Sequence, residues 1–410
     1  MKKLLLVLLI LSLFINHLNA NEKDLQIIQK DKKEYRLLDK ESIQTRQQSQ
    51  KYDWISPIDL SGNIGRNHSF SDENSRNLNN KNTKSASIGF TQSIFESGGI
   101  GFKMDYADNR FKYEMLSWEN QNSQLIYTIY NTLLDIKKLN LEINQNDYRI
   151  VNKDIELIIK KIQYEAGKTD IIELNNAIMS KNLILKEEIA LKNSLKEKEQ
   201  ELAKYTDLKY DEIEILDFQE TNKEIFLDKN YSILEADAKV EMLNSEYKIK
   251  KSQYLPKLSL SAKASYSNQD EKFNSMINDT NKDDATSSGS LILSMPLYDY
   301  TKSSKIQESK IEVLKQKALV NDLKNETAFE YEQIFTKIDT YLKQNETINK
   351  NIKLYEELIG ANQISSEAGM TSKYDLEILE NTKTINEFDI LINKINILQQ
   401  YAKLYFKIKN

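Results

Sequence analysis

Apolar residues recur at every second position in four short stretches of the chain and at every seventh position in two long ones. Ile58, Leu60, Gly62 and Ile64 follow Trp54 at alternate positions, and Ala86, Ile88 and Phe90 repeat the rhythm. In the second half Leu258, Leu260, Ala262, Ala264 and Tyr266 form one such run, and Leu291, Leu293, Met295 and Leu297 another. A period of two is that of a half-buried strand. Polar stretches, Arg66 to Thr83 and Ser267 to Ser288, separate the members of each pair, so each half is predicted to form one hairpin with a long polar tip. Strands of about 9 to 11 residues, apolar on one face and joined by long polar loops, are the weak signature of an outer-membrane barrel. Two hairpins of an ordinary antiparallel sheet would show the same alternation.

The seven-residue pattern predicts long helices. Ile129, Ile136, Ile143, Ile150 and Leu157 are evenly spaced, and Tyr331, Ile338, Asn345, Ile352 and Ile359 repeat the phase 202 residues on. Such a repeat implies left-handed supercoiling against neighbouring helices. Gly101 to Gly167 is 66 steps (167 − 101), roughly 99 Å of helix at about 1.5 Å each. Thr301 to Gly369 is 68 steps (369 − 301), roughly 102 Å, too long for a compact single domain. The returning helices are predicted to be shorter: Asp170 to Tyr205, Tyr231 to Tyr254, and Ser372 to Ile408. Length alone suggests stacking the first of these on the second, and the third on the N-terminal segment Leu25 to Gln50, each stack matching one long helix. That N-terminal segment has only a thin apolar stripe, Ile27, Ile28, Leu37, Leu38 and Ile43; the acidic stretch Thr206 to Lys229 is expected to be irregular.

The two halves are copies of one plan. Leu258 minus Ile58 is 200, Tyr298 minus Phe95 is 203, and Gly369 minus Gly167 is 202. Repeat 1 is placed at 21–229, with a hairpin at about 55–97, a helical hairpin at about 98–205 and a belt segment at 206–229. Repeat 2 is placed at 230–410, with a helix at 230–254, a hairpin at about 255–298 and a helical hairpin at about 299–410. Strands in a membrane can leave no open edge, because each unpaired backbone group in hydrocarbon costs several kcal/mol. Four strands fall short of the roughly eight in the smallest closed barrels. Two chains would give eight strands with an interior filled by side chains; three would give twelve with room for a lumen. Three are preferred because their twelve helical columns would continue the barrel as a tube.

Composition narrows the class. Ten Gly and three Pro in 410 residues favour long uninterrupted helices. A formal charge of −5 provides no overall basic field, so nucleic acid is not an expected partner. Lys2-Lys3, the apolar run Leu4 to Ile15 and the small Ala20 predict an export signal over residues 1–20; the run is short of the roughly 20 residues that span a bilayer. With no Cys there is no disulfide, no thiolate and no lipid-attachable cysteine. Of the two His, His17 lies in the signal and His68 in a polar loop, so neither a His-based triad nor a His-rich metal site is available. Gly98-Gly99-Ile100-Gly101 lacks the third glycine of a dinucleotide loop and is read as the hinge between strands and helix. Asp279, Asn281 and Asp283 begin like a calcium loop, but Asp284 and Ser290 stand where Gly and Glu are needed. No nucleophile, base and oxyanion site assemble, so no enzyme and no cofactor are expected. Tyr52, Trp54, Tyr298 and Tyr300, near strand ends, suit an interfacial aromatic girdle.

Two junction motifs carry a family resemblance. Thr91-Gln92-Ser93-Ile94-Phe95-Glu96 at the first strand-to-helix junction is matched by Ser294-Met295-Pro296-Leu297-Tyr298-Asp299 at the second. Each hairpin turn carries a Gly with an acidic residue six positions on, Gly167 with Glu173 and Gly369 with Asp375. In these features, and across nearly all of the mature sequence, the chain resembles the TolC-type outer-membrane efflux proteins. The resemblance implies a homotrimer with a 12-stranded barrel in outer-membrane lipid, a helical tunnel across the periplasm, a periplasmic adaptor and an inner-membrane transporter. It implies adaptor contact at the turns Ala166-Gly167-Lys168-Thr169 and Ala368-Gly369-Met370-Thr371, and an acidic ring at the entrance with Asp375 as candidate. Glu173 is placed at the entrance with Asp375, Lys373 and Tyr374, and is equally read as a helix-start carboxylate beside the helix dipole. The pattern departs at Ile378, where some relatives carry a second acid, and at Ser366 and Thr371, where the latching Tyr and Arg would stand. A different gate is therefore expected, using Lys168, Lys373 or Tyr374. The rival reading is a periplasmic coiled-coil structural or adaptor protein, a class that carries one hairpin between nested globular halves rather than two in tandem.

Overall fold

The structure, a computed structural model, describes residues 25–69, 79–216, 218, 220–270, 282–367 and 372–409. The expected signal peptide, the tips of both strand hairpins and the turn Ala368-Gly369-Met370-Thr371 lie outside the described residues. After a short 3-10 turn at Leu25–Ile27 the order is α1 (Lys30–Tyr52), β1 (Asp59–Ser69), β2 (Asn79–Phe95), α2 (Gly99–Glu165), α3 (Ile171–Ala203) and α4 (Lys223–Asp228). It continues with α5 (Tyr231–Ser252), β3 (Lys257–Asp270), β4 (Lys282–Ser294), α6 (Lys302–Glu367) and α7 (Lys373–Tyr405). The chain is thus mainly helical with one small antiparallel sheet. Among the described residues no helix is long and apolar enough to cross a membrane. Two compact units divide it: one of residues up to Lys40, Leu116–Leu234 and Asn321–Asn410, the other of Glu41–Met115 and Glu235–Val320.

The second unit holds the sheet, in the order β1-β2-β3-β4 with every neighbouring pair antiparallel. Register sorts the side chains by chemistry. Leu60, Ile88, Ala264 and Ser287 are cross-strand partners, and Gly62, Ala86, Tyr266 and Ala285 form the next row on the same face. Phe90 with Ala262, and Gln92 with Leu260 and Leu291, extend that face the other way. One residue along the strands the rows turn polar: Ser61, Ser87, Ser265 and Thr286, then Asn63, Ser85, Ser267 and Asp284. Hydroxyls hydrogen-bond across the strands on this face, Ser61 to Ser87 at 2.8 Å, Ser265 to Thr286 at 2.7 Å and Thr91 to Ser261 at 3.1 Å. Period-two patterning therefore yields one oily and one hydroxyl-covered surface. The oily band runs from Leu258 to Tyr266, 8 steps (266 − 258), roughly 27 Å of strand at about 3.4 Å each.

The strands run further than their apolar alternation. Arg66 to Ser69, Asn79 to Thr83, Ser267 to Asp270 and Lys282 to Ser288 were expected as loop and are strand. A ladder is built from backbone groups, so a pairing begun on apolar residues continues through polar ones wherever water can solvate their side chains.

The first unit is a helical bundle whose core centres on Phe226, Ile334, Ile338, Leu404 and Ile408. None of the ten heptad positions is exposed, and Ile129 and Ile136 are fully buried. Helix α2 lies between α3 and α7 and meets each with different chemistry. Toward α3 it makes ion pairs, Lys160 with Glu173 at 3.0 Å, Asp154 with Lys181 at 2.5 Å and Asp135 with Lys198 at 3.3 Å. Toward α7 it makes amide and hydroxyl bonds: Gln145 donates to the Ile385 carbonyl at 2.9 Å and to Asp389 at 2.7 Å, and Asn381 donates to Asn152 at 2.9 Å. Half-exposed ion pairs contribute about 0.2–1 kcal/mol each. Buried amides set register, since any slip leaves them unpaired.

The expected stacking of the short helices is corrected. Past the end of α3, the Tyr205 carbonyl accepts from the Gln29 amide at 2.8 Å, and the Lys30 amide donates to Asp207 at 3.0 Å, so α3 abuts α1. Past the end of α7, the Lys407 carbonyl accepts from the Tyr231 amide at 2.9 Å, and the Lys409 amide donates to the Lys229 carbonyl at 2.8 Å, so α7 abuts α5. Each junction joins the orphan carbonyls of one helix end to the orphan amides of another. The stretch expected to be irregular contains one helical turn, α4, whose Asn222 cap accepts from the Glu224 and Ile225 amides.

The apolar stripe of the N-terminal segment is also revised. Ile28 and Ile43 are buried while Leu37 and Leu38 are exposed, and the buried anchor between them is a cation, Arg36. Its guanidinium donates to Asn122 at 2.6 Å, Gln121 at 2.9 Å and the Trp118 carbonyl at 2.9 Å, and lies 5.8 Å from the centre of the Trp118 ring. Burial lowers its pKa, and the neighbouring Asp39 offsets part of that shift.

Candidate functional site

The first helical hairpin turns on Gly167. Helix α2 ends when the Gly167 amide donates to the Tyr164 carbonyl at 2.9 Å and the Lys168 amide donates to the Gln163 carbonyl at 2.8 Å. This nested pair of bonds is the Schellman arrangement, which needs a left-handed residue at its corner. Gly167 supplies it with φ of +68°. Three residues after Gly167, Asp170 caps α3, its side chain accepting from the Glu173 amide at 2.9 Å. Ala166, Gly167 and Lys168 are exposed and Thr169 is half-buried, so the turn offers small side chains and one cation to whatever approaches.

Among the described residues nothing lies within 4 Å of a Cβ added at Gly167. The cost of Gly167→Ala is therefore conformational alone, about 1–2 kcal/mol. Thermal unfolding is expected to show that loss, with Gly167→Asn losing less because Asn tolerates the left-handed region. Equal stability of Gly167→Ala and the parent would contradict this turn geometry.

Glu173 pairs with Lys160 at 3.0 Å across the turn, and both side chains remain partly exposed. In the second hairpin Ser372 caps α7, accepting from the Tyr374 amide at 3.2 Å, and the Asp375 amide donates to the Ser372 carbonyl at 3.1 Å. Lys373, Tyr374 and Asp375 thus form one exposed first turn, with the carboxylate at the positive end of the helix dipole. Ile378, one turn further on, is half-buried. Sequence reading missed Lys160 as the partner of Glu173, although the two stand seven residues before and six after the turn glycine, the spacing at which an antiparallel pair meets. Among the described residues no group of three or more His, Cys, Asp or Glu is placed to hold a metal ion.

The Gly98 junction, expected as a hinge, is tightly tied in the second unit. Ser97 and Gly98 take positive φ, 50° and 89°, the Ser97 hydroxyl donates to the Pro256 carbonyl at 2.7 Å, and Glu96 pairs with Lys103 at 2.9 Å. A side chain at Gly99 would meet the Ser252 hydroxyl at 2.8 Å.

Residues 224–403 match the family model described as outer membrane efflux protein. The fold is similar to the outer membrane protein VceC of Vibrio cholerae, with a TM-score of 0.72 over 93% of this chain and 94% of that one at 12% identity. It is also similar to the Campylobacter jejuni CmeC outer membrane channel, TM-score 0.70 over 93% and 86% at 12% identity. The Neisseria gonorrhoeae MtrE outer membrane channel, in its open state, gives 0.68 over 94% and 88% at 11% identity. No curated protein sequence matches the chain.

Proposed function

Proceeding from residues 224–403 as a domain of the outer membrane efflux protein family, on a chain with the fold of the TolC-type channels, we propose that it is one subunit of a passive outer-membrane channel. The channel conducts cargo, by this reading, from an inner-membrane transporter through a periplasmic adaptor, and is not an enzyme. The observation that carries it is the sheet: one oily face, one hydroxyl face and two unpaired edges. An oily face of this extent on a protein in water would be an aggregation surface. Against lipid it is a membrane wall, and the open edges of β1 and β4 then demand partners. Three copies close a 12-stranded barrel with the hydroxyl face lining the lumen, and the efflux family match favours this trimer over an eight-stranded dimer filled by side chains.

The helical hairpins are assigned to the periplasm. Ala166, Gly167, Lys168 and Thr169, with Ala368, Gly369, Met370 and Thr371, are assigned to adaptor contact. The exposed turn of Lys373, Tyr374 and Asp375 is assigned to the pore entrance together with Glu173, whose charge Lys160 partly offsets. Three Asp375 carboxylates around a narrow opening create a negative potential that favours cations. In planar bilayers Asp375→Asn is expected to lower the cation-to-anion permeability ratio several-fold. Unchanged selectivity in that variant would remove Asp375 from the entrance. Efflux is the use proposed for the channel, following the family description.

A further inference from the structure

The second strand-to-helix junction is far more exposed than the first. Phe95 is 52% exposed, whereas its counterpart Tyr298 is 86% exposed, with Leu297 at 91% and Tyr300 at 87% beside it. At the first junction the cover comes from β3: Phe95 pairs with Leu258 after a bulge at Ile94, and the Ser97 hydroxyl bonds the Pro256 carbonyl. At the second, the strand that would lie alongside is missing, because β4 is a sheet edge.

The internal repeat says which strand that is, and in what register. Partners in β1 and β2 have residue numbers summing to 148 (59 + 89), and partners in β3 and β4 sum to 551 (257 + 294). The difference, 403, equals the sum of the two sequence offsets, 200 for the first strand of each hairpin and 203 for the second. The two hairpins therefore superpose residue for residue. The seam between them, β2 with β3, sums to 352 (83 + 269) up to the bulge. Carrying β2 forward by 203 onto β4, and β3 back by 200 onto β1, turns 352 into 355 (352 + 203 − 200).

We propose that β4 of one copy pairs antiparallel with β1 of the next in the register whose residue numbers sum to 355, with Leu297 as the bulged residue and Tyr300 over Ser56 of the neighbour. This rests on the oligomeric-channel reading and assigns its contact residue by residue. Met295 then faces Leu60, Leu291 faces Ile64 and Ser294 faces Ser61. Three features not used in deriving the register agree with it. Leu291 and Met295 on the β4 edge meet Ile64 and Leu60 on the β1 edge, all on the oily face, and Leu293 between them meets Gly62. Ser294 opposite Ser61 reproduces the hydroxyl pair Thr91 with Ser261. Pro296, which has no amide to donate, falls beside the bulge, where a strand tolerates proline.

The chain has no native cysteine, so engineered pairs report cleanly. Ser61→Cys with Ser294→Cys, and Asn63→Cys with Ile292→Cys, are oxidised in outer membranes and run on non-reducing gels. Within one chain the β1 and β4 positions are three strand spacings apart, roughly 14 Å, beyond disulfide reach. Bonds can form only between copies. Most chains of both matched pairs are expected to shift to covalent dimers and trimers, while Asn63→Cys with Ser294→Cys, a slip of two residues, stays monomeric. Cross-linking in the slipped pair instead, or in neither matched pair while the parent runs as an oligomer, overturns the register and leaves the channel reading standing. A parent that forms no oligomer overturns the channel reading, and the register with it.

Discussion

Ile88→Arg is expected to destabilise the membrane-inserted protein by about 2–4 kcal/mol, the cost of a guanidinium on the lipid face near mid-bilayer. Ile88 stands on the oily face between Leu60 and Ala264, inside the band from Leu258 to Tyr266 and two residues from its midpoint at Ala262. Its neighbour Ser87 stands on the hydroxyl face between Ser61 and Ser265. Ser87→Arg places the same charge one residue away, where a water-filled lumen solvates it, and is expected to change stability by less than about 1 kcal/mol. Urea titration in lipid vesicles, following the mobility difference between heated and unheated samples, reads both variants. Equal losses in the two would mean that the faces are not lipid and lumen.

The second large effect belongs to the helical unit. Phe226→Ala is expected to cost about 3–5 kcal/mol, as for other fully buried aromatic truncations. Phe226 has no exposed surface and packs among Ile334, Ile338, Leu404 and Ile408, with the Tyr331 ring centre 5.6 Å away. It is carried on α4, six residues long and far too short to persist alone. Losing the anchor therefore also loosens the stretch that holds the C-terminal end, where the Lys229 carbonyl accepts from the Lys409 amide. Ile225→Ala, adjacent but half-exposed, is expected to cost less than about 1.5 kcal/mol. A fall in the urea midpoint of the helical signal for Phe226→Ala, several times that for Ile225→Ala, is the result anticipated; matching midpoints would remove Phe226 from the core.

These two sites mark what the sequence makes legible. Strand alternation around Ile88 and the heptads from Ile129 to Leu157 are periodic, and periodicity is how side chains declare a buried face. The Gly167 turn was equally readable, because only a glycine-like residue takes its left-handed corner at little cost. The helix stacking was not readable, because its bonds run between backbone groups such as the Lys407 carbonyl and the Tyr231 amide, which every residue but proline possesses. Length matching favoured α3 on α5, and the backbone junctions join α3 to α1 and α7 to α5 instead. Arg36 was missed for a related reason: a buried cation becomes acceptable only through Asn122, Gln121 and Trp118, which lie more than eighty residues away in sequence and give no local signal.

The central claim is that one chain supplies a third of a closed barrel. Native mass measurement of the channel extracted from outer membranes in detergent tests it most directly. Three copies per pore is the expected mass; a conducting species of one or two copies would contradict the account.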